Sequence, residues 1–275
     1  MSARRPRLTV IDAHCHASPL WFEPVETLLF QMDRCGVHKA VLTQILGQFD
    51  NAYQEQCVAR LPDRLAHVGA VQAAAADAVQ KVTALTRRGM AGLRLRSDAR
   101  SPGDDPLAIW RAAADGGLAI SCGGPAASIV SGEFAAIVRE FAAMPFVIEH
   151  LGGWTRPDCD HSPQVWQGIL ALADYPNVIL KIPALGQLAP RAVGQPLPAH
   201  APVLDAAKGA ILIEALDAFG AERLMWGSDF PVVASREGYA NALDWTRMLF
   251  AERSSEEREA IFGGTAERIF FARAA

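Results

Sequence analysis

The feature that most constrains this chain is a regular beat of short apolar runs and amphipathic segments. Leu8–Ile11, Lys39–Gln44, Leu65–Val71, Ala91–Arg96, Leu118–Cys122, Phe146–His150, Val178–Ile182 and Leu224–Asp229 each read as a strand. Helical spacing fills the gaps, as in Val25, Leu28, Leu29 and Met32 before Gly36, or Asp77 to Arg88 before Gly89. Further helices are expected over Asn51 to Arg60, Pro106 to Asp115, Gly132 to Ala143, Pro163 to Ala173, Tyr239 to Phe250 and Ser255 to Phe270. Near-continuous apolar strands alternating with helices describe a parallel sheet covered on both faces. Eight of them in 275 residues predict a single (β/α)8 barrel spanning 1–275. An open doubly wound sheet is the runner-up, and it lacks the glycine fingerprint expected after an early strand. The one long irregular stretch, Gln187 to Pro202, reads as a lid or binding loop.

Composition narrows the partners. A net charge of −4 gives no electrostatic case for nucleic acid or an anionic membrane. No run approaches the roughly 20 apolar residues of a membrane span. The five cysteines (Cys15, Cys35, Cys57, Cys122 and Cys159) are scattered, without a C-x-x-C pair, and read as reduced thiols. A cytoplasmic protein acting on a small molecule is the expectation, with homo-oligomerisation left open.

In a barrel of this kind the site gathers at the C-terminal ends of the strands. Strand one ends in Asp12-Ala-His-Cys-His16, and strict period-two alternation would put Asp12, His14 and His16 on one face. Strand four ends in Arg94 and Arg96, strand six in His150, strand seven in Lys181 and strand eight in Asp229. Ionisable side chains at one end of five buried strands imply a shared polar cavity, because charges are rarely buried without partners. Arg94 or Arg96, with Lys181, could hold a substrate carboxylate, or the arginines could pair with Asp98 or Glu149. Glu149, next to His150, is expected to face away from it, and Ser121 and Cys122 are expected to be core fillers. His38, His67, His161 and His200 lie off the constellation.

Together, Asp12-Ala-His-Cys-His16, Ile148-Glu-His-Leu-Gly-Gly153, Asn177-Val-Ile-Leu-Lys181 and Arg223-Leu-Met-Trp-Gly-Ser-Asp-Phe-Pro231 resemble the amidohydrolase superfamily. Within it, the likeness is to the amidohydrolase-2 group that includes 2-pyrone-4,6-dicarboxylate lactonases and sugar-lactone hydrolases. It runs from about Val10 to Phe270, with Thr265-Ala-Glu-Arg268 similar to the group's closing helix. The resemblance implies hydrolysis of an ester or amide, foremost a carboxylated lactone, with His14, His16, His150 and Asp229 as catalytic residues. Many members hold a divalent metal. Here one zinc on His14, His16 and Asp229, with His150 or Cys122 as a further ligand, and a metal-independent reaction both stay open. The full two-metal ligand set is missing, since strand four offers arginines and strand five Ser121 and Cys122. A zinc-dependent decarboxylase or hydratase, and a barrel that binds a small acid without turning it over, are the rival readings.

Overall fold

The computed structural model describes residues 9–188 and 206–272. Its strands are β1 (Ile11–Cys15), β2 (Lys39–Thr43), β3 (Leu65–Ala70), β4 (Gly92–Arg96), β5 (Ala119–Gly123), β6 (Phe146–Ile148), β7 (Val178–Ile182) and β8 (Leu224–Trp226). All pair in parallel, in the order β1 through β8. The ends of the sheet meet in a parallel bridge between Cys15 and Phe230. The backbone N–H groups of His16 and Asp229 close the seam by donating to the carbonyls of Phe230 and His14, at 2.7 and 2.8 Å. This is the predicted (β/α)8 barrel.

Two apolar layers follow from strand alternation. Val41, Val68, Val147, Ile179 and Met225 fill the barrel interior, while Leu42, Leu93, Ile148, Leu180 and Trp226 point outward into the layer beneath the helices. Helix α1 (Val25–Cys35) buries Val25, Leu28 and Met32 and stops at Gly36, whose φ of 67° suits a residue without a Cβ. Burying Leu28 and Met32 fully contributes about 2 kcal/mol each relative to exposure. Next come α2 (Ala52–Arg60), α3 (Ala78–Arg87), α4 (Ala108–Asp115), α5 (Ala126–Ile129), α6 (Gly132–Glu140) and α7 (Pro163–Leu170). Ser131 and Ser162 cap α6 and α7 by accepting the N–H groups of Phe134 and Val165. Asp77 precedes α3 without capping it, since its carboxylate instead pairs with Lys81 at 3.0 Å.

Two helical segments differ from the sequence pattern. Helix α8 (Ala206–Phe219) has apolar residues around its circumference, so no stripe of period 3.6 announces it. The segment expected as one helix over Ser255 to Phe270 starts as α10 (Ser255–Glu259), behind α9 (Tyr239–Leu249), and continues in wider π-type turns to Phe271. Ala266 and Phe270 from this tail plug the N-terminal end of the barrel. There Gly263 lies so close to the Thr9 carbonyl that a Cβ would overlap it. The proposed binding loop beyond Leu188, and His200 within it, lie outside the described residues. Among the described residues no helix is long and apolar enough to cross a membrane.

Candidate active site

Alternation breaks at the end of β1. Ile11 and Ala13 point into the barrel and Cys15 points out, and the register with β2 slips between Asp12 and Cys15. Asp12 therefore does not share a face with the histidines, contrary to strict period two. Its carboxylate accepts from the His14 N–H (3.2 Å), the Ser228 N–H (2.9 Å) and hydroxyl (2.6 Å), and the Tyr239 hydroxyl (3.0 Å). A buried carboxylate satisfied four times over fastens the end of β1 to the turn after β8. Burial pushes the Asp12 pKa up, against the lowering effect of those bonds.

Two residues in the left-handed region aim the remaining side chains. Asp229 has φ 59° and His150 has φ 47°, a conformation that costs a side-chain-bearing residue roughly 1–3 kcal/mol. Strand β6 ends at Ile148, so parity no longer separates Glu149 from His150. Glu149 points into the barrel mouth, and the left-handed turn swings the His150 ring to 4.6 Å from that of His14.

One cluster of polar groups results. The Asp229 Oδ1 lies 3.4 Å from His16 Nε2 and 3.9 Å from His14 Nε2. Its Oδ2 accepts from Gln187 Nε2 at 2.6 Å. His16 Nδ1 donates to the Thr43 carbonyl at 2.7 Å, which leaves Nε2 as the atom turned to Asp229. His14 Nδ1 meets Lys181 Nζ at 2.9 Å, while its buried Nε2 has no hydrogen-bond partner among the described residues. Lys181 is buried rather than reaching solvent, and also donates to Ser121 Oγ at 3.4 Å. Ser121 in turn donates to Glu149 Oε1 at 2.6 Å, so it belongs to the polar cluster and is not a core filler. Cys122 points outward into the layer beneath the helices, away from these groups.

The arginines separate. Arg94 grips Glu149 through Nε (3.0 Å) and Nη2 (2.7 Å), and donates through Nη1 to the Gln44 carbonyl at 2.7 Å. Arg96 is half-exposed and paired with Asp98. Of the remaining histidines, His38 Nδ1 accepts the Val10 N–H and His161 sits against the Trp154 carbonyl, both outside the cluster. His67 is buried on β3.

Electrostatics favour neutral bases beside ionised carboxylates. Burial, then the charge of Lys181, holds the His14 pKa well below its usual value, and burial lowers that of His150. Burial would raise Asp229, but the His16 contact and the charges of His150 and Arg236 outweigh it and hold the carboxyl below its ordinary range. Glu149 is likewise opposed by burial and held down by Arg94 and Lys181. Desolvation lowers Lys181 to about 8, with Glu149 working in the opposite direction.

His150, Asp229, Glu149 and Arg94 line a cavity of about 710 Å³ at the barrel mouth, with Arg236 and Leu46 on its wall. Gln187 and Arg236 are the site residues that strand-end logic misses. Gln187 ends a short 3-10 turn after β7, where the stretch expected to be a binding loop begins, and Arg236 follows the turn after β8, close to Asp229 in sequence.

One divalent cation fits the donors present. Ligand atoms of His14, His150 and Asp229 lie within 4.8 Å of one another, and the orphaned His14 Nε2 is a nitrogen such an ion would satisfy. His16 stands beside Asp229 but outside that group.

The chain is similar to several known proteins. A stretch of 59 residues is 46% identical to an L-fucono-1,5-lactonase of Burkholderia multivorans, covering 20% of this chain and 19% of that protein. The fold matches a crystal structure of a B. multivorans amidohydrolase with bound zinc at a TM-score of 0.75 and 21% identity, over 95% of this chain and 98% of that one. It matches a Pseudomonas putida protein assigned as a 2-pyrone-4,6-dicarboxylic acid hydrolase at 0.73 and 24% identity, over 96% and 97%. A family model described as Amidohydrolase (Amidohydro_2) matches residues 11–272, and the chain belongs to that family.

Proposed function

We propose that the protein opens a lactone of a small carboxylate-bearing compound, with Asp229 as the group that activates water. The observation that carries this reading is the meeting of one ionised carboxylate with three imidazoles at the mouth of the barrel. Asp229 is an anion at neutral pH and can take a proton from a water in the cavity as that water's oxygen adds to the lactone carbonyl. The unpartnered His14 Nε2, once it carries the ring proton, can donate to the oxyanion that develops, with Lys181 holding the ring in place. The tetrahedral adduct collapses with cleavage of the ring C–O bond. The proton taken by Asp229 then returns to the departing oxygen, giving the open hydroxy acid. Gln187 holds the Oδ2 of the carboxylate in place throughout. If a zinc is bound, His14, His150 and Asp229 are the residues that would hold it, and it would supply Lewis-acid polarisation of a carbonyl or of water.

The lactone assignment is supported by the short L-fucono-1,5-lactonase match. Its test is a panel of carboxylated and sugar lactones with analysis of products: ring opening to a hydroxy acid supports the reading, and release of carbon dioxide replaces it with decarboxylation. Asp229→Asn should lower kcat by about 10²-fold or more with the circular dichroism spectrum unchanged. Near-normal turnover in that variant would remove Asp229 from the chemistry.

A further inference from the structure

Lys181, at the end of β7, is only 1% exposed, so its ammonium serves groups of the protein itself. Those groups are His14 Nδ1 at 2.9 Å and Ser121 Oγ at 3.4 Å. They belong to a buried chain of hydrogen bonds whose far end fixes the direction of every link. Glu149 is a carboxylate clasped by Arg94 Nε and Nη2 at 3.0 and 2.7 Å, and it can only accept. Ser121 therefore gives its single hydroxyl proton to Glu149 Oε1, at 2.6 Å. With that proton committed, Ser121 Oγ accepts from Lys181. An ammonium has three protons and no lone pair, so Lys181 also donates to His14, and Nδ1 of that ring is the acceptor. A doubly protonated ring could not face an ammonium at that distance. A neutral imidazole that accepts at one nitrogen carries its proton on the other.

His16 has the opposite kind of partner. Its Nδ1 donates to the Thr43 carbonyl at 2.7 Å, the arrangement usual for a histidine that binds a metal through its other nitrogen. His14 meets a donor where a metal-binding histidine meets an acceptor. Ligand distances alone admit an ion on His14, His150 and Asp229, but the chain behind His14 opposes it.

We infer that Lys181 is a positioning residue that holds His14 in the tautomer with its proton on Nε2, making that nitrogen a hydrogen-bond donor with no lone pair for a metal ion. Arg94, Glu149 and Ser121 are the support that keeps Lys181 turned to the ring. The Asp229 Oδ1, 3.9 Å from Nε2, adds a negative charge on the side where this proton sits. For a cation to occupy Nε2, the ring would have to present a proton at Nδ1 against an ammonium. The tautomer belongs to the resting protein, whereas its catalytic consequence, donation to the oxyanion, rests on the lactone-opening reading.

The test is nuclear magnetic resonance of the protein as purified, with isotopically labelled histidine ring nitrogens and His14 assigned by its absence in His14→Gln. Long-range proton–nitrogen correlations distinguish the two tautomers. His14 of the wild type should show a single, fixed Nε2–H form. An Nδ1–H form, which a metal on Nε2 would also produce, would overturn the inference without recourse to any variant. Lys181→Met removes the donor, and its His14 should lose the fixed form and show proton on Nδ1, whereas Lys181→Arg keeps a donor there and should restore Nε2–H. Melting curves confirm that each variant folds. A folded Lys181→Met protein whose His14 stays wholly Nε2–H would overturn the role of Lys181. On a lactone that the wild type opens, Lys181→Met should lower kcat by about 10-fold and leave KM nearly unchanged, because the donation is made in the transition state. If no lactone is turned over while His14 shows the fixed Nε2–H form, the lactonase reading fails and the tautomer assignment stands.

Discussion

Lys181 shows how one residue couples the site to folding. It is buried among His14, Ser121 and the inward face of β7, and desolvation lowers its pKa from 10.5 to about 8. Between those values the unfolded chain holds a proton that the folded chain does not. Stability therefore rises with pH across this window, and falls by about 3 kcal/mol as the pH drops from 10.5 to 8. Urea unfolding at the two pH values should show this difference in the wild type relative to Lys181→Met, in which the slope assigned to this residue is absent. At the same scale, the sequence was legible in kind and unreliable in orientation. It indicated which residues end the strands, and apart from Arg96 those residues do gather in one polar cluster, of which Arg94, His150 and Asp229 line the cavity. It could not show that a register slip turns Asp12 away from His14, or that a left-handed turn brings His150 to the same side as Glu149. Both departures are backbone irregularities, which a period-two rule excludes by construction.

At the scale of elements, strands and their order follow directly from apolar runs, because a strand covered on both faces has little other way to read. Helix α8 escaped for the complementary reason: its run is so largely apolar that Glu214 and Asp217, on its exposed face, are too few to mark a phase. The junction of β1 with β8 is built from backbone contacts and the Asp12 cluster, and glycine is required there. A Cβ on Gly227 would stand 2.6 Å from the His14 Cβ and 2.9 Å from the His14 backbone nitrogen. Gly227→Ala should push the two chain segments apart, costing about 1–3 kcal/mol of stability and slowing turnover as well. Denaturant midpoints and kcat measured on the same preparation check both. A variant that loses stability while keeping its kcat would show that His14 tolerates the shift.

Across the whole molecule the two ends of the barrel divide their tasks. Polar groups collect at the C-terminal mouth, while Phe270 and Ala266 seal the opposite end with apolar surface. Phe270→Ala should cost about 3–5 kcal/mol, since the ring is buried and its removal leaves a void, yet leave kcat close to the wild type under conditions where the protein stays folded. Thermal unfolding and steady-state kinetics separate the two effects. The seam between first and last strands has a further implication for how activity arises during synthesis. His14 and His16 leave the ribosome early, and Asp229 only after all eight strands have already been made. A nascent chain can lay down most of its sheet and still lack the carboxylate proposed to activate water, so on that proposal catalysis switches on late, when the circle shuts.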